Sequence, residues 1–306
     1  MKVIRADSMG FCMGVRRAVD MAQAELQKSN LQRGRPVYTM GPLIHNPQVM
    51  EKFRRQGLGI LESDVSPDTL PSDLRGACVI IRAHGIRPAL ERSLRDRGAL
   101  IVDATCPKVK KSQIKARELS EKQYVIFLAG ESQHGEIIGL QGYADRCIVV
   151  AGAEEADSEA RKLQQNEGVL FEGTELKSAG VNGTLKTALI GQTTISAALY
   201  EKIGGVLRRY FPSIKVIDTI CGAAPQESLR KLCAEVEAVV VAGGRSSANT
   251  RRLLDIALEA GKPAWLVETA ADLDPEITAY SVVGLSAGAS TPDDIIDEIE
   301  AALEKL

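Results

Sequence analysis

Short apolar runs recur along the chain, each closing in small or polar residues and most giving way to apolar positions at helical spacing. They lie at 37–40, 78–81, 100–102, 124–129, 147–151, 188–190, 216–217, 238–242, 264–267 and 282–285. Between many of them are amphipathic stretches, such as the one that sets Val15, Ala18, Val19, Ala22 and Leu26 on one helical face. Strands alternating with helices predict βαβ units and parallel sheets covered on both faces. In such sheets, ligands gather where strands end and helices begin. The expected breaks are 63–76, with Pro67 and Pro71, and the polar stretch 152–185, which includes helix-compatible sequence at 154–165.

A weak internal repeat organises the pattern further. Ile101-Val102-Asp103-Ala104-Thr105-Cys106 is similar to Val216-Ile217-Asp218-Thr219-Ile220-Cys221, both being apolar strands that end in Asp-x-x-Cys. A looser copy is Val3-Ile4-Arg5-Ala6-Asp7, leading to Cys12. The three cysteines are 94 and 115 residues apart, so each opens a unit of roughly 100 residues, a common domain size. Three such units with their strand ends turned inward would bring three thiols to one centre.

Composition narrows the chemistry. Of 306 residues, 44% are hydrophobic and 25% charged, with net charge −2. No global positive field is present to hold nucleic acid or an anionic membrane. The N-terminus lacks an apolar signal core, and no apolar run approaches the roughly 20 residues of a membrane span. A soluble, cytoplasmic protein is expected, with its six cysteines in a compartment where disulfides rarely persist. The closest pair, Cys221 and Cys233, is twelve residues apart, so there is no Cys-x-x-Cys motif and a metal site must be assembled from distant segments.

Cys78 and Cys147 begin apolar strands, and Cys233 joins Leu229, Leu232 and Val236 in a helical pattern, so these three read as small buried hydrophobes. Cys12, Cys106 and Cys221 instead stand at strand ends beside Gly, Pro or Thr. Three thiolates suit a 4Fe–4S cluster with one iron left open; a cysteine-rich zinc site would use the same donors. The only three histidines, His45, His84 and His134, each follow an apolar run in a Gly-bearing turn, where imidazoles can donate to phosphate oxygens. The turn at 243–250, with Ser247 and Asn249, could cradle a phosphate at a helix N-terminus. A second turn at 287–294 contains Ser290, with Thr291 expected as N-cap and Pro292 as the first helical residue. Asp293 and Asp294 there complement a helix dipole. Gln192-Thr193-Thr194 adds hydroxyls at another strand end, and Glu136 is the candidate acid, two residues after His134. Lys108, Lys110 and Lys111 after Cys106 form either a solvated helix face or a docking patch for an acidic electron carrier.

Taken in order, these fragments resemble the LytB family of 4-hydroxy-3-methylbut-2-enyl diphosphate reductases. The resemblance rests on Gly10-Phe11-Cys12-Met13-Gly14-Val15, the Gly-Pro-x-x-His-Asn segment at 41–46 and Ala83-His84-Gly85. It continues through Asp103-Ala104-Thr105-Cys106-Pro107, His134-Gly135-Glu136, Gln192-Thr193-Thr194 and Asp218-Thr219-Ile220-Cys221, and ends with Ser247-Ala248-Asn249 and Ala287-Gly288-Ala289-Ser290. It implies three pseudo-repeated α/β domains with parallel sheets around a central 4Fe–4S cluster on Cys12, Cys106 and Cys221. The domains would be 13–104, 105–217 and 218–295 joined by 1–12, with 296–306 as the end of the C-terminal helix. His45, His84, His134, Ser247, Asn249 and Ser290 would hold a diphosphate, while Glu136, His134, Thr193 and Thr194 would serve proton transfer. Removal of an allylic hydroxyl would then give isopentenyl and dimethylallyl diphosphates, with electrons from a ferredoxin or flavodoxin.

Five departures from the family pattern bear on substrate choice. Gly222-Ala223-Ala224-Pro225-Gln226 is two residues shorter than the usual segment, Ala248 replaces a Ser, Met13 replaces an Ala, Arg82 replaces a Ser and Gly135 replaces a Pro. They keep two alternatives open: a related 4Fe–4S enzyme with another substrate, and a cluster-based redox sensor without turnover.

Overall fold

The computed structural model describes residues 1–31, 34–44, 46–62, 69–165, 185–221 and 223–306. Contacts divide the chain into two compact units. The first comprises Met1–Gly34, Pro42–Gly59 and Gly222–Leu306, the second Arg35–Gly41 and Ile60–Cys221. The described residues contain three four-stranded sheets, and every strand pairing defined residue by residue is parallel, the α/β architecture expected from the alternating pattern.

In chain order the strands are β1 (Lys2–Arg5), β2 (Val37–Met40), β3 (Leu58–Leu61), β4 (Cys78–Ile81), β5 (Leu100–Asp103), β6 (Val125–Ala129), β7 (Cys147–Val150), β8 (Thr187–Gly191), β9 (Lys215–Val216), β10 (Ala238–Ala242), β11 (Ala264–Val267) and β12 (Val282–Ala287). The helices are α1 (Met13–Leu31), α2 (Pro47–Arg55), α3 (Pro88–Asp96), α4 (Pro107–Glu121), α5 (Gly135–Gln141), α6 (Ala153–Gln165), α7 (Ala197–Tyr210), α8 (Ala223–Cys233), α9 (Ala248–Glu259) and α10 (Asp293–Lys305). No helix among the described residues is long and apolar enough to cross a membrane.

The sheets share one topology. Their orders are β3-β2-β4-β5, β7-β6-β8-β9 and β11-β10-β12-β1. Numbered locally, each runs 2-1-3-4, and in the third sheet the N-terminal β1 supplies the fourth strand. The weak Asp-x-x-Cys repeat therefore marks the fourth strand of each sheet. This order also fixes where ligands belong, because connections from strands 1 and 3 leave in opposite directions and open a crevice at their carboxyl ends.

Side-chain alternation fills both faces of the sheets. In the second unit, Val125, Phe127 and Ala129 of β6 pack with Ala156, Ala160 and Leu163 of α6 and Ile203 and Leu207 of α7. Their neighbours Ile126 and Leu128 face Ala116 and Leu119 of α4 and Ile137 and Leu140 of α5. In the first unit, Val239 and Val241 meet Leu229, Leu232 and Cys233 of α8, together with Leu253 and Ile256 of α9. Val240 and Leu285 meet Ile296, Ile299 and Leu303 of α10. Burial on two faces explains the near-continuous apolar runs.

Candidate functional site

The same three positions recur at the carboxyl ends of the three sheets. Each candidate cysteine follows its sheet's fourth strand: Cys106 after β5, Cys221 after β9 and Cys12 after β1. Each donates its backbone N–H to the carbonyl two residues beyond the end of the third strand. Cys106 donates to Ala83 at 2.9 Å, Cys221 to Thr193 at 2.7 Å and Cys12 to Ala289 at 3.2 Å. The residue after each acceptor is His84, Thr194 or Ser290, so three sequence candidates occupy one structural position. Five residues beyond the first strand stand His134 and Ser247, which cap α5 and α9. His45 is five residues on from β2 in sequence and lies outside the described residues.

All three cysteines are partly exposed, and none of the six is in a disulfide. Cys106 and Cys12 each open a helix, their carbonyls accepting from Lys110 N at 2.8 Å and Arg16 N at 2.9 Å. By contrast, Cys78 and Cys233 are buried, and burial raises the proton affinity of the Cys233 thiol. Cys147 is only partly buried, at the start of β7. Among the described residues, no set of three or more His, Cys, Asp or Glu side chains is gathered closely enough for a metal ion. Cys12, Cys106 and Cys221 are nevertheless three undisulfided thiols at equivalent strand ends, with their own amides already committed to the scaffold, a donor set that fits an iron–sulfur cluster as it fits zinc.

Glu136 is the most perturbed acid at these strand ends. It lies in the first turn of α5 with 1% of its surface exposed. Its Oε1 accepts from Thr193 N at 2.9 Å and its Oε2 from Thr193 Oγ1 at 2.8 Å. Burial pushes its pKa from 4.5 up to about 7, and the two Thr193 hydrogen bonds oppose that rise. The carboxyl therefore keeps its proton to a higher pH than an exposed glutamate does, the condition suited to proton delivery.

His134 Nδ1 accepts from Glu136 N at 3.2 Å, which leaves Nε2 to carry the proton of the neutral ring. The His84 and His134 rings meet edge to face with centroids 5.2 Å apart. The turn bearing His84 is closed by Gly85 N donating to Arg82 O at 2.9 Å. Gly85 adopts φ +74°, and a Cβ there would overlap the Gln113 amide, so glycine is required on two counts. Thr194 Oγ1 accepts from Gln192 Nε2 at 2.7 Å, and Gln192 Oε1 accepts from Glu131 N at 3.1 Å. These bonds position Thr194 but leave Thr193 alone in contact with Glu136.

In the first unit, Ser247 Oγ accepts from Thr250 N at 3.3 Å, so its acceptor function is used in capping while its hydroxyl proton can still be donated. Asn249 follows in the first turn of α9, and Ser290 is buried beyond β12. Thr291 departs from expectation. Its hydroxyl donates to Ala242 O at 3.0 Å and Pro292 is the N-cap of α10, because the carbonyl at the end of β10 claims the hydroxyl that would have capped the helix.

The sequence pattern had not assigned a role to Thr219 within Asp218-Thr219-Ile220-Cys221. Its Oγ1 accepts from Gly191 N at 3.0 Å and donates to Gly191 O at 2.9 Å, tying the segment before Cys221 to the end of β8. The other Asp-x-x-Cys copy uses its aspartate instead: Asp103 accepts from Thr105 N at 3.0 Å and pairs with Lys110 at 2.7 Å. Lys110 is thereby committed, whereas Lys108 and Lys111 remain exposed.

The sequence pattern of the LytB protein family matches residues 3–304. A Treponema denticola protein named 4-hydroxy-3-methylbut-2-enyl diphosphate reductase is 44% identical over 306 residues, covering 99% of both chains. One of the same name from Aquifex aeolicus is 36% identical over 310 residues, covering 99% of this chain and 96% of its own. The solved structure of the Plasmodium falciparum E-1-hydroxy-2-methyl-but-2-enyl-4-diphosphate reductase superposes with a TM-score of 0.82 at 26% identity, covering 98% of this chain and 87% of that one.

Proposed function

The chain belongs to the LytB family, and we propose that it reduces 4-hydroxy-3-methylbut-2-enyl diphosphate to isopentenyl and dimethylallyl diphosphates. What chiefly supports this reading is the equivalence of Cys12, Cys106 and Cys221. Each follows the fourth strand of a sheet with the same order, and each is pinned through its amide to the turn after the third strand.

Family membership implies an iron–sulfur cofactor, and we assign it as a 4Fe–4S cluster on these three thiolates. When bound, the cluster would pass on the donor's two electrons one at a time and offer a Lewis-acidic iron. Overall, R–OH takes up two electrons and two protons to give R–H and water. Glu136 holds one of those protons near neutral pH. Protonation on Oε2 reverses its hydrogen bond with Thr193, so the acid donates to Thr193 Oγ1 and the threonine proton turns outward. Glu136 and Thr193 thus form a two-step relay to the leaving hydroxyl. Thr194 and His134 have auxiliary roles, with His134 fixing the amide of Glu136 and presenting Nε2–H. The diphosphate is bound by His45, His84, His134, Ser247, Asn249 and Ser290, whose N–H and O–H groups stabilise its charge without deprotonation.

The domain division 13–104, 105–217 and 218–295 with 1–12 is part of this reading, supported by the fact that each segment encloses one four-stranded sheet; 296–306 completes α10. A ferredoxin or flavodoxin is the electron donor, acting in the cytoplasm, and the exposed Lys108 and Lys111 suit an acidic carrier.

The test is anaerobic turnover of the cluster-loaded protein with dithionite-reduced viologen and the allylic diphosphate. Consumption of substrate with formation of both C5 diphosphates is expected. A reconstituted cluster that leaves this diphosphate untouched would instead favour a related enzyme with a different substrate.

A further inference from the structure

The three cysteines stand at equivalent strand ends, yet the chain ahead of Cys221 is held differently. In each sheet the last carbonyl of the third strand accepts a hydrogen bond from the residue two positions before the cysteine. Ile81 O accepts from Ala104 N at 3.1 Å, and Ala287 O from Gly10 N at 3.3 Å. At Gly191 O, the end of β8, the donor is the Thr219 hydroxyl at 2.9 Å. That hydroxyl also accepts from Gly191 N at 3.0 Å. A side chain here takes the place that main-chain amides hold ahead of Cys106 and Cys12.

The neighbouring bonds define the path of the segment. Ile217 N donates to Leu189 O at 2.9 Å and Cys221 N to Thr193 O at 2.7 Å. The chain is thus tied by amides at both ends and by the Thr219 side chain between them. A hydroxyl reaches from farther off the main chain than an amide does, and β9 accordingly stops at Val216, two residues long, where β5 and β1 each run for four. The Ile217 carbonyl accepts from Tyr200 Oη at 2.7 Å, and the same hydroxyl lies 3.0 Å from Leu189 O. Gly191 makes room for both side chains: a Cβ there would stand 2.8 Å from Tyr200 Cε2 and 3.3 Å from Thr219 Oγ1. Gly191, Thr219 and Tyr200 are all buried, so a lost bond in this clamp is not made good by solvent.

The clamp also bears on the acid. Thr193, whose carbonyl receives Cys221 N, gives its own N–H and hydroxyl to Glu136. Gly191 stands two residues before Thr193, so Thr219 and Glu136 grip the same short turn.

We propose that Thr219 is a positioning residue for the cluster: its hydroxyl, clamped on Gly191, sets the path by which Cys221 reaches the metal centre and keeps that cysteine in register with Glu136 through Thr193. The proposal rests on the cluster assignment above.

The test reconstitutes the cluster anaerobically and measures the rate at which excess ferrous chelator strips its iron. The electron paramagnetic resonance spectrum of the dithionite-reduced cluster and the melting temperature of the apo protein are recorded alongside. T219V keeps the branched shape but withdraws the hydroxyl; it should lose iron about ten-fold faster or more, the scale of one or two buried hydrogen bonds, with a shifted spectrum. T219S keeps the hydroxyl and should hold iron at close to the wild-type rate. L163A opens a cavity in the core of the same sheet and sets the baseline for general destabilisation, with a lower melting temperature but no faster loss of iron. T219V that keeps iron and spectrum like wild type would overturn the proposal. So would iron loss no faster than that of L163A at an equal fall in melting temperature, or T219S behaving as T219V does. If T219V does not fold, Y200F, which withdraws only the hydroxyl on Ile217 O, decides by the same measurements and should also lose iron faster. Wild-type protein that retains no iron or sulfide after reconstitution would overturn the cluster assignment and this proposal with it. A loaded wild type with unaffected variants would overturn only the role of Thr219.

Discussion

Replacing Glu136 with glutamine isolates the proton-delivering group, because the amide is isosteric and can keep both contacts with Thr193. Its oxygen accepts from Thr193 N, and its NH2 faces Thr193 Oγ1. Raising the carboxyl pKa from 4.5 to about 7 corresponds to about 3 kcal/mol, at about 1.4 kcal/mol per pH unit. The sign follows from which state holds the proton more tightly. Between those two values the folded protein retains a proton that the unfolded chain has released, so stability falls as pH rises through this window. Glutamine does not titrate and removes the effect. The apo E136Q protein should gain about 1 kcal/mol over wild type at pH 5 and about 3 kcal/mol at pH 8. That corresponds to a melting difference growing to about 5 °C for a chain of this length. Comparing the two proteins at each pH cancels the titration of every other group. In the cluster-loaded enzyme, the same change should reduce kcat by about 100-fold or more. A melting difference that is constant from pH 5 to pH 8 would refute the account of a buried, proton-holding acid.

Two further expectations follow from the same strand ends. T193V removes the hydroxyl that lowers the Glu136 pKa while keeping the backbone N–H, so the alkaline limb of the kcat profile should move to higher pH as kcat itself falls; an unmoved limb would deny the coupling. Serine at 12, 106 or 221 should each abolish retention of iron and acid-labile sulfide after anaerobic reconstitution, whereas C233S should retain both. Equal loss in all four would show that cluster binding depends on folding rather than on these thiols.

Strand positions were legible because both faces of each sheet are buried, so the apolar runs at 37–40, 78–81 and 238–242 coincide with β2, β4 and β10. The strand β3 escaped notice because Gly59 interrupts four residues that carry no distinctive alternation. Strand order was not legible, since it depends on pairings between distant segments; only the family resemblance, which joins 1–12 to 218–295, pointed to β1 belonging with β12. Glu136 read alone is a surface glutamate, and its burial comes from contact with Thr193, 57 residues away. The hydroxyl pair Thr193-Thr194 at a strand end was the available signal.

The repeated topology and the single acid answer different chemical needs. A symmetric scaffold can offer equivalent cysteines, because each thiol requires only the same strand end and the same amide anchor. Proton delivery to one leaving group cannot be symmetric. At the position of Glu136, seven residues beyond its sheet's first strand, the corresponding residues are Pro47 and Asn249. Among the described residues, only α5 brings a carboxyl against a threonine just beyond its sheet's third strand, and there burial raises the acid toward neutral pH. The positions shared by all three sheets thus suit cofactor ligation, while the position that differs among them carries the proton.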